Sequence, residues 1–241
     1  MTTPSQTEAD FLAAYDPRAF DSPLSPVDVV IFTLHQQQLK VLLVRRHNFP
    51  HKDRWAFPGG FVDQHHDATL EAAALCKLTE KTGVTTPYLE QWGAVGNATR
   101  DPRGWSITVL YFALIPFAEP PADSDARWFT LDDALTLNLA FDHSELLPKV
   151  VERLRSKVLY TVMPAHLIAS PFTLSELQRA YECVLGRELE KKAFRRRLET
   201  AGVLEATGNS TREGAGRPAA FYRLRPECAS FNFNRQLGHP G

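Results

Sequence analysis

The sequence predicts an α+β fold: an α/β/α sandwich built on a mixed sheet, followed by a smaller unit of two helices and a hairpin. Three observations carry this reading. Apolar, β-branched runs at 27–34, 39–45, 88–96 and 107–115 read as strands, without the regular strand–helix alternation of a parallel βαβ array. Helical spacing appears in separate blocks, notably 67–82 and 144–159. The charge also changes sign along the chain: residues 1–154 hold 13 Lys/Arg against 20 Asp/Glu, whereas 155–241 hold 14 against 8. That division predicts two domains with different partners, an anionic one for the second.

The elements follow in order. Residues 1–20 are polar, with a short helix expected around Phe11–Tyr15 before Pro17; Ser22-Pro23 and Ser25-Pro26 punctuate the entry to the first strand. Val27–Leu34 and Leu39–Arg45 flank Gln36-Gln37-Gln38 and read as a hairpin. Trp55–Val62 is extended or turning. Leu70, Ala73, Ala74, Leu78 and Thr82 then recur at helical spacing. Tyr88–Gly96 and Ile107–Ile115 are further strands, Pro120–Asp125 is a loop and Arg127–Phe129 a short strand. Helices begin at Leu131 and at 144.

Past residue 156 the punctuation is sharper. Thr173 and Glu176 are spaced as a capping box. Leu174, Leu177, Tyr181 and Val184/Leu185 give the helix that follows an apolar face, and Gly186 ends it. A second helix from about Glu190 lines Phe194, Leu198 and Ala201 on one face and stops at Gly202. It leaves Lys191, Lys192, Arg195, Arg196 and Arg197 largely outside. Val203–Ala206 and Ala219–Leu224 read as two strands around a polar, Gly-rich loop carrying Arg212 and Arg217. Helix, helix, hairpin with a basic loop is the order of a winged helix-turn-helix, whose second helix fits the major groove of double-stranded DNA. A bland reading also stands: a basic helix face is often only solvated. The expected domains are an arm (1–21), a first domain (22–155), a second domain (156–227) and a C-terminal tail (228–241).

Composition bounds the function classes. Of 241 residues, 44% are hydrophobic and 23% charged, ordinary for a soluble globular protein. Cys76, Cys183 and Cys228 lie far apart, which excludes a disulfide framework and a zinc spacing and fits a reducing cytoplasm. The N-terminus lacks the basic start and apolar run of a signal peptide, and no apolar run approaches a membrane span.

The most informative stretch is 59–83, GGFVDQHHDATLEAAALCKLTEKTG. A double-glycine turn, an Ala/Leu-rich helix and Thr-Gly resemble the outline of the Nudix box. Counting back from Gly83, Cys76 takes the arginine slot, Lys77 the first glutamate slot, Glu80 the second and Lys81 the third. Where the family places glutamate after the glycine turn, this chain has His66. Anchoring on Gly60 instead puts Ala74 and Leu75 into the Arg-Glu slots, which fits no better. Mg²⁺ wants carboxylate and water oxygens, and in Nudix enzymes it activates the attacking water. Three carboxylates replaced by one carboxylate and two ammonium groups would repel that ion. No metal, no required cofactor and no catalytic residue is therefore expected.

The flanking elements suit a diphosphate ligand. Arg46, Arg100 and Arg103 offer planar forks for phosphate oxygens, with Asp101 inside the same NATRDPRGW element. Gly59 and Gly60 let backbone N–H groups come close to a phosphate. Phe57, Trp105 or Phe141 suits stacking on adenine, although Phe57 and Trp105 read at least as well as core. His143, beside Asp142, reads either as a ligand contact or as a structural pair. Asn97–Trp105 resembles the Arg-Asp-Pro-Arg-Gly element of Nudix proteins that handle ADP-ribose, and Ala140–His143 resembles a motif of Nudix-like regulators of that ligand.

A crippled Nudix-like domain joined to a winged helix resembles the NrtR family, the Nudix-related transcriptional regulators of NAD metabolism. The resemblance runs from Tyr15-Asp16-Pro17 through Arg195-Arg196-Arg197 to Arg217-Pro218. It implies a homodimer on a palindromic operator, a repressor of NAD-related genes, and ADP-ribose or a related nucleotide as effector. The alternatives are an active Nudix hydrolase of ADP-ribose-like diphosphates and a nucleotide-binding module that recruits a protein through its basic domain.

Overall fold

The structure is a computed structural model and describes residues 7–84, 88–210, 219–234 and 236–237. A short helix α1 (Glu8–Ala14), capped by Thr7, precedes the body of the protein. β1 (Pro26–His35) and β2 (Gln38–Arg45) form the expected hairpin, with His35 opposite Gln38. Gln36 and Gln37 adopt φ of 53° and 61°, the left-handed pair that matches the twist of the flanking strands.

The first part continues through β3 (Trp55–Ala56), β4 (Gly59–Phe61), α2 (Leu70–Thr82), β5 (Tyr88–Asn97), β6 (Ser106–Leu114), β7 (Ala126–Thr130), α3 (Leu131–Thr136) and α4 (His143–Val158). Its strands share one sheet in the order β3-β2-β1-β6-β5, with β4 also on β1 and β7 also on β2. β1 and β6 run parallel while their other partners run antiparallel, so the sheet is mixed as expected.

Strand parity divides the core. Val27, Val29 and Ile31 of β1, with Tyr111 and Ala113 of β6, face α2 and pack on Ala73, Ala74 and Leu78. Val30 and Phe32, with Leu110, Phe112 and Leu114, face the other way onto the Leu146–Leu147–Val150–Val151–Leu154 stripe of α4. Side chains alternate across a strand, so Asp28, Ser106 and Thr108 share the α4-facing parity. At this end of the sheet the apolar stripe turns polar. This is the floor of the candidate site.

The second part holds β8 (Phe172–Thr173), α5 (Leu174–Leu185), α6 (Lys191–Ala201), β9 (Leu204–Ser210) and β10 (Ala220–Leu224). Thr173 and Glu176 form the expected capping box, and Gly186 and Gly202 end the helices in the left-handed region at φ 68° and 64°. β8 joins the hairpin in a three-stranded sheet, order β8-β10-β9. The residues of β8 are apolar and cap-forming, and nothing local distinguishes them from a helix entry.

Two features bear on the expected boundaries. The limit after residue 155 falls inside α4, which runs unbroken to Val158. Nor does the core divide there: buried side chains form one continuous cluster from Val30 and Phe32 through Leu154 and Val158 to Leu177, Tyr181 and Phe194. The described residues of the expected C-terminal tail fold back onto the body of the protein. Val162, Phe233 and Leu237 donate their N–H groups to Phe231, Tyr160 and Leu159 carbonyls at 3.2, 2.7 and 2.8 Å. Among the described residues, no helix is long and apolar enough to cross a membrane.

Candidate functional site

The polar floor opens into a cleft of about 160 Å³. Nine of the ten residues expected to meet a ligand line it: Arg46, Phe57, Gly59, Gly60, Arg100, Asp101, Arg103, Phe141 and His143. Arg46 directly follows β2, β4 supplies the glycines, the loop before β6 the Arg100–Arg103 turn, and the start of α4 supplies His143. Sequence distance is large but topology brings them together. β1 lies between β4 and β6, and Asp28 on β1 meets Gly59, Arg100 and His143.

Asp28 is the centre that residue-type reasoning missed. It is 7% exposed. The Thr108 hydroxyl donates to its Oδ2 at 2.7 Å, and Arg100 and His143 stand 3.8 and 3.7 Å away. Burial alone pushes its carboxyl upward; His143, the Thr108 hydroxyl and Arg100 outweigh that and hold its pKa below 3.8. Its only sequence signal is an acid inside an otherwise apolar strand. Gly59 is opposite Asp28 in the β1–β4 ladder. A Cβ at 59 would lie 2.2 Å from Asp28 Oδ1 and 2.6 Å from the Val27 carbonyl. Glycine there makes room for the acid.

Arg100 corrects an expectation. Its fork does not wait for phosphate. Nε and an Nη donate to Asp142 at 3.1 and 3.0 Å, the other Nη donates to Ser106 at 3.0 Å, and the side chain is 2% exposed. Arg100 is the cation of a buried network. Arg103, in contrast, is partly exposed. It holds Asp101 with both ends of its fork, at 3.0 and 2.7 Å, and lies over the Phe61 ring at 5.1 Å. Among the described residues, the Arg46 guanidinium donates to the carbonyls of Pro50 (2.9 Å) and Asn48 (3.5 Å). Burial, then the neighbouring Arg103, disfavours its cation. An incoming anion would relieve both.

The aromatic candidates separate cleanly. Phe141 sits at the cleft with φ 56°, a conformation that costs a bulky residue about 1–3 kcal/mol and gathers at functional sites. Its ring meets the Arg46 guanidinium at 4.7 Å and His51 edge-on at 5.0 Å. Phe57 is 2% exposed and stacks on His143 at 4.3 Å, so it is wall rather than an open stacking face. Trp105 corrects the remaining expectation. It lies outside the cleft, half exposed, with its ring against Gly96. It has the opposite parity from Ser106 and Thr108. His143 Nδ1 accepts the Phe57 N–H at 3.0 Å. The ring proton is therefore on Nε2, which is buried and has no hydrogen-bond partner.

Asp28 and Asp101 have depressed carboxyl pKa values, the latter because Arg103 outweighs burial. Such groups contribute stability that is fully present above the unfolded-state value, 3.8, and is lost as the pH falls below it toward the folded value. Circular dichroism between about pH 5 and pH 2 should show acid destabilisation, with a shallower pH dependence in Asp28→Asn. An unchanged slope would remove Asp28 from the linkage.

The box helix α2 brings Lys77 up to Gly60 of the glycine turn. Glu80 lies between two ammonium groups, Lys81 at 3.0 Å and Lys77 at 3.8 Å, while Cys76 is exposed. A divalent metal does not fit this donor set, and among the described residues no three His, Cys, Asp or Glu side chains are placed to hold one.

The second candidate surface is α6. Lys191, Lys192 and Arg196 are exposed and Arg195 is half-buried. Arg197, the remaining basic residue of the helix, is placed differently. Its guanidinium turns inward, donating to the Leu159 carbonyl at 3.0 Å and stacking on Phe233 at 3.9 Å. The refolded C-terminal segment supplies that ring. Arg212 and Arg217 lie outside the described residues.

Comparison with known proteins agrees with both halves. Residues 24–150 match the NUDIX domain model and residues 164–224 match that of the NrtR DNA-binding winged helix domain. The chain is 50% identical over 238 residues to the ADPR responsive transcriptional repressor NtrR of Acinetobacter baylyi, covering 97% of this chain and 95% of that one. It superposes on Shewanella oneidensis NrtR complexed with a 27mer DNA at TM-score 0.84 and 48% identity, covering 89% of this chain and 99% of that one. The NUDIX domain of the same protein complexed with ADP ribose matches at TM-score 0.59 and 51% identity, over 61% of this chain and 99% of that one. With both domain models matched in order, and a relative at half identity along nearly its whole length, the chain belongs to the NrtR family.

Proposed function

We propose that this protein is a DNA-binding transcriptional repressor that senses ADP-ribose, or a closely related nucleotide, through a Nudix fold that has lost metal-dependent hydrolysis. One observation carries the reading: the carboxylate left in the box, Glu80, lies between Lys77 and Lys81, in a chain whose other half exposes the basic face of α6. Such a site suits holding a diphosphate and does not suit cleaving it.

In this reading Arg46 and Arg103 meet the phosphates and Phe141 stacks on the base, while Arg100 and Asp28 keep the cleft in shape. At about 160 Å³ the cleft is smaller than the roughly 300–1,000 Å³ of ordinary ligand pockets. It encloses part of a nucleotide and leaves the rest along its rim. Lys191, Lys192, Arg195 and Arg196, with Arg212 and Arg217 of the wing loop, contact the operator. Two copies bind a palindrome. Ligand releases DNA by linkage: it binds the DNA-incompetent arrangement better, and DNA weakens ligand by the same factor. The core that runs unbroken from the cleft side of α4 to α6 supports mechanical coupling between the two surfaces.

Mobility-shift titration against promoters of the neighbouring genes, with and without ADP-ribose, tests this directly. A specific shift that ADP-ribose reverses is expected; no specific shift on any of them would sink the reading. Mg²⁺-dependent release of AMP, abolished by Glu80→Gln, would replace it with a hydrolase. Arg196→Ala is expected to cost about 1–3 kcal/mol on the operator if Arg196 reads a base. An equal loss on random DNA would assign it to phosphate contact, with a reduced salt slope.

A further inference from the structure

The side chain of Lys77 reaches back from α2 to the glycine turn. A Cβ at Gly60 would lie 3.3 Å from Lys77 Cε and 3.8 Å from Nζ, so the ammonium lies directly behind a residue that lines the cleft. It is 29% exposed.

The charges around the cleft give this position weight. Arg46, Arg100 and Arg103 face Asp28, Asp101 and Asp142, three cations against three anions. By themselves they leave no net attraction for an anionic ligand. Arg100 and Arg103 are moreover engaged in bidentate pairs with Asp142 and Asp101. The surplus comes from α2, where Lys77 and Lys81 outnumber Glu80. Within that triad the carboxylate is ion-paired with Lys81 at 3.0 Å, while Lys77 stays farther off at 3.8 Å. Of these cations, Arg46 and Lys77 are the two with no carboxylate in hydrogen-bond range among the described residues.

We infer that Lys77 is the built-in counter-charge for the ligand's diphosphate, occupying the role of a divalent cation and making nucleotide binding independent of metal. This rests on the reading of the cleft as a nucleotide site and adds how that site is charged. An ammonium is a compact cation with three donors and no acceptor. It attracts phosphate oxygens but has no open coordination position at which to bind and ionise a water. The same substitution therefore holds the signal and spares it. Lys81 occupies Glu80, which would otherwise draw Lys77 away from the cleft.

Calorimetric titration of the full chain with ADP-ribose, in EDTA and in Mg²⁺, separates the possibilities. The unmodified protein is expected to bind equally in both. Lys77→Gln is expected to weaken binding about tenfold or more, and Glu80→Gln, which frees the ammonium groups, to tighten it. Binding by the unmodified protein that Lys77→Gln leaves unchanged, or that Mg²⁺ strengthens tenfold, would overturn the counter-charge and leave the nucleotide reading intact. No binding of ADP-ribose in either buffer would overturn both.

Discussion

Arg100→Ala is expected to destabilise the protein by about 3–5 kcal/mol, the cost of removing one partner from a buried ionic network. The Arg100 side chain is 2% exposed, and its three donors reach Asp142 twice and Ser106 once, with Asp28 3.8 Å away. Truncation leaves two largely buried carboxylates, Asp28 and Asp142, without this cation. Urea denaturation followed by far-UV circular dichroism measures the loss. A change below about 1 kcal/mol, the range of exposed pairs, would mean that water already reaches these groups. The double variant Arg100→Met, Asp142→Leu should recover part of the loss, because replacing both members of a buried pair is often neutral. Recovery of stability without recovery of ADP-ribose affinity would separate the network's two tasks. It carries the fold at this end of the sheet, and it orients the turn that presents Arg103.

How much of this was legible in the chain follows from where each signal lies. The hairpin, the capped helices and the glycine stops are local chemistry and appear where the sequence puts them. The cleft lining was legible because short motifs mark it: the glycine turn, Arg100–Arg103 and Phe141–His143. Division of labour among those residues was not. Arg100 and Arg103 are three positions apart in one turn, yet one is buried on Asp142 and the other partly exposed on Asp101. Both lie in the loop before β6, and the partners that decide which faces inward, Asp142 and Ser106 for Arg100 and Asp101 for Arg103, are fixed by tertiary packing. Trp105 fails for the same reason, since one step of parity puts its ring over Gly96. Asp28 was hidden in an apolar run, where its meaning depends on Gly59 across one ladder and Thr108 across another. The inward turn of Arg197 is not legible from its own helix, because its partners, Leu159 and Phe233, come from segments far apart in sequence.

The box illustrates the opposite case, in which composition at known spacing says more than the backbone does. α2 is an ordinary helix, capped by Thr69 and stopped by Gly83 at φ 72°. Its backbone gives no sign of the lost carboxylates. What separates a metal site from a site bearing its own positive charge is the identity of Lys77 and Lys81, and this was readable from the residues alone. The structure adds that Lys77 lies behind Gly60, which turns a missing function into a candidate contact.

Phe194→Ala is the second large effect, about 3–5 kcal/mol, and it tests whether the two surfaces belong to separable units. α6 buries two residues, Phe194 at 1% exposure and Leu198 at 2%. Phe194 packs edge-on against Tyr181, ring centroids 5.1 Å apart, and the Tyr181 hydroxyl donates to the Thr161 carbonyl at 2.7 Å. Removing the ring leaves a cavity beneath the helix that presents Lys191, Lys192 and Arg196. DNA affinity should therefore collapse without any change to an exposed cation. Arg196→Ala should behave in the reverse way, losing affinity with the melting temperature held. The informative measurement is ADP-ribose binding by Phe194→Ala at a temperature where the protein remains folded. Val30, Phe32, Leu154, Tyr181 and Phe194 share one cluster, so a shift of α6 has a packed route to α4, whose first residue is His143. Coupling through that route predicts an altered ligand affinity in the variant, because a ligand that releases DNA must favour the arrangement in which α6 is displaced. An unchanged ligand affinity, with DNA binding lost, would show that the shared core joins the two parts without transmitting between them.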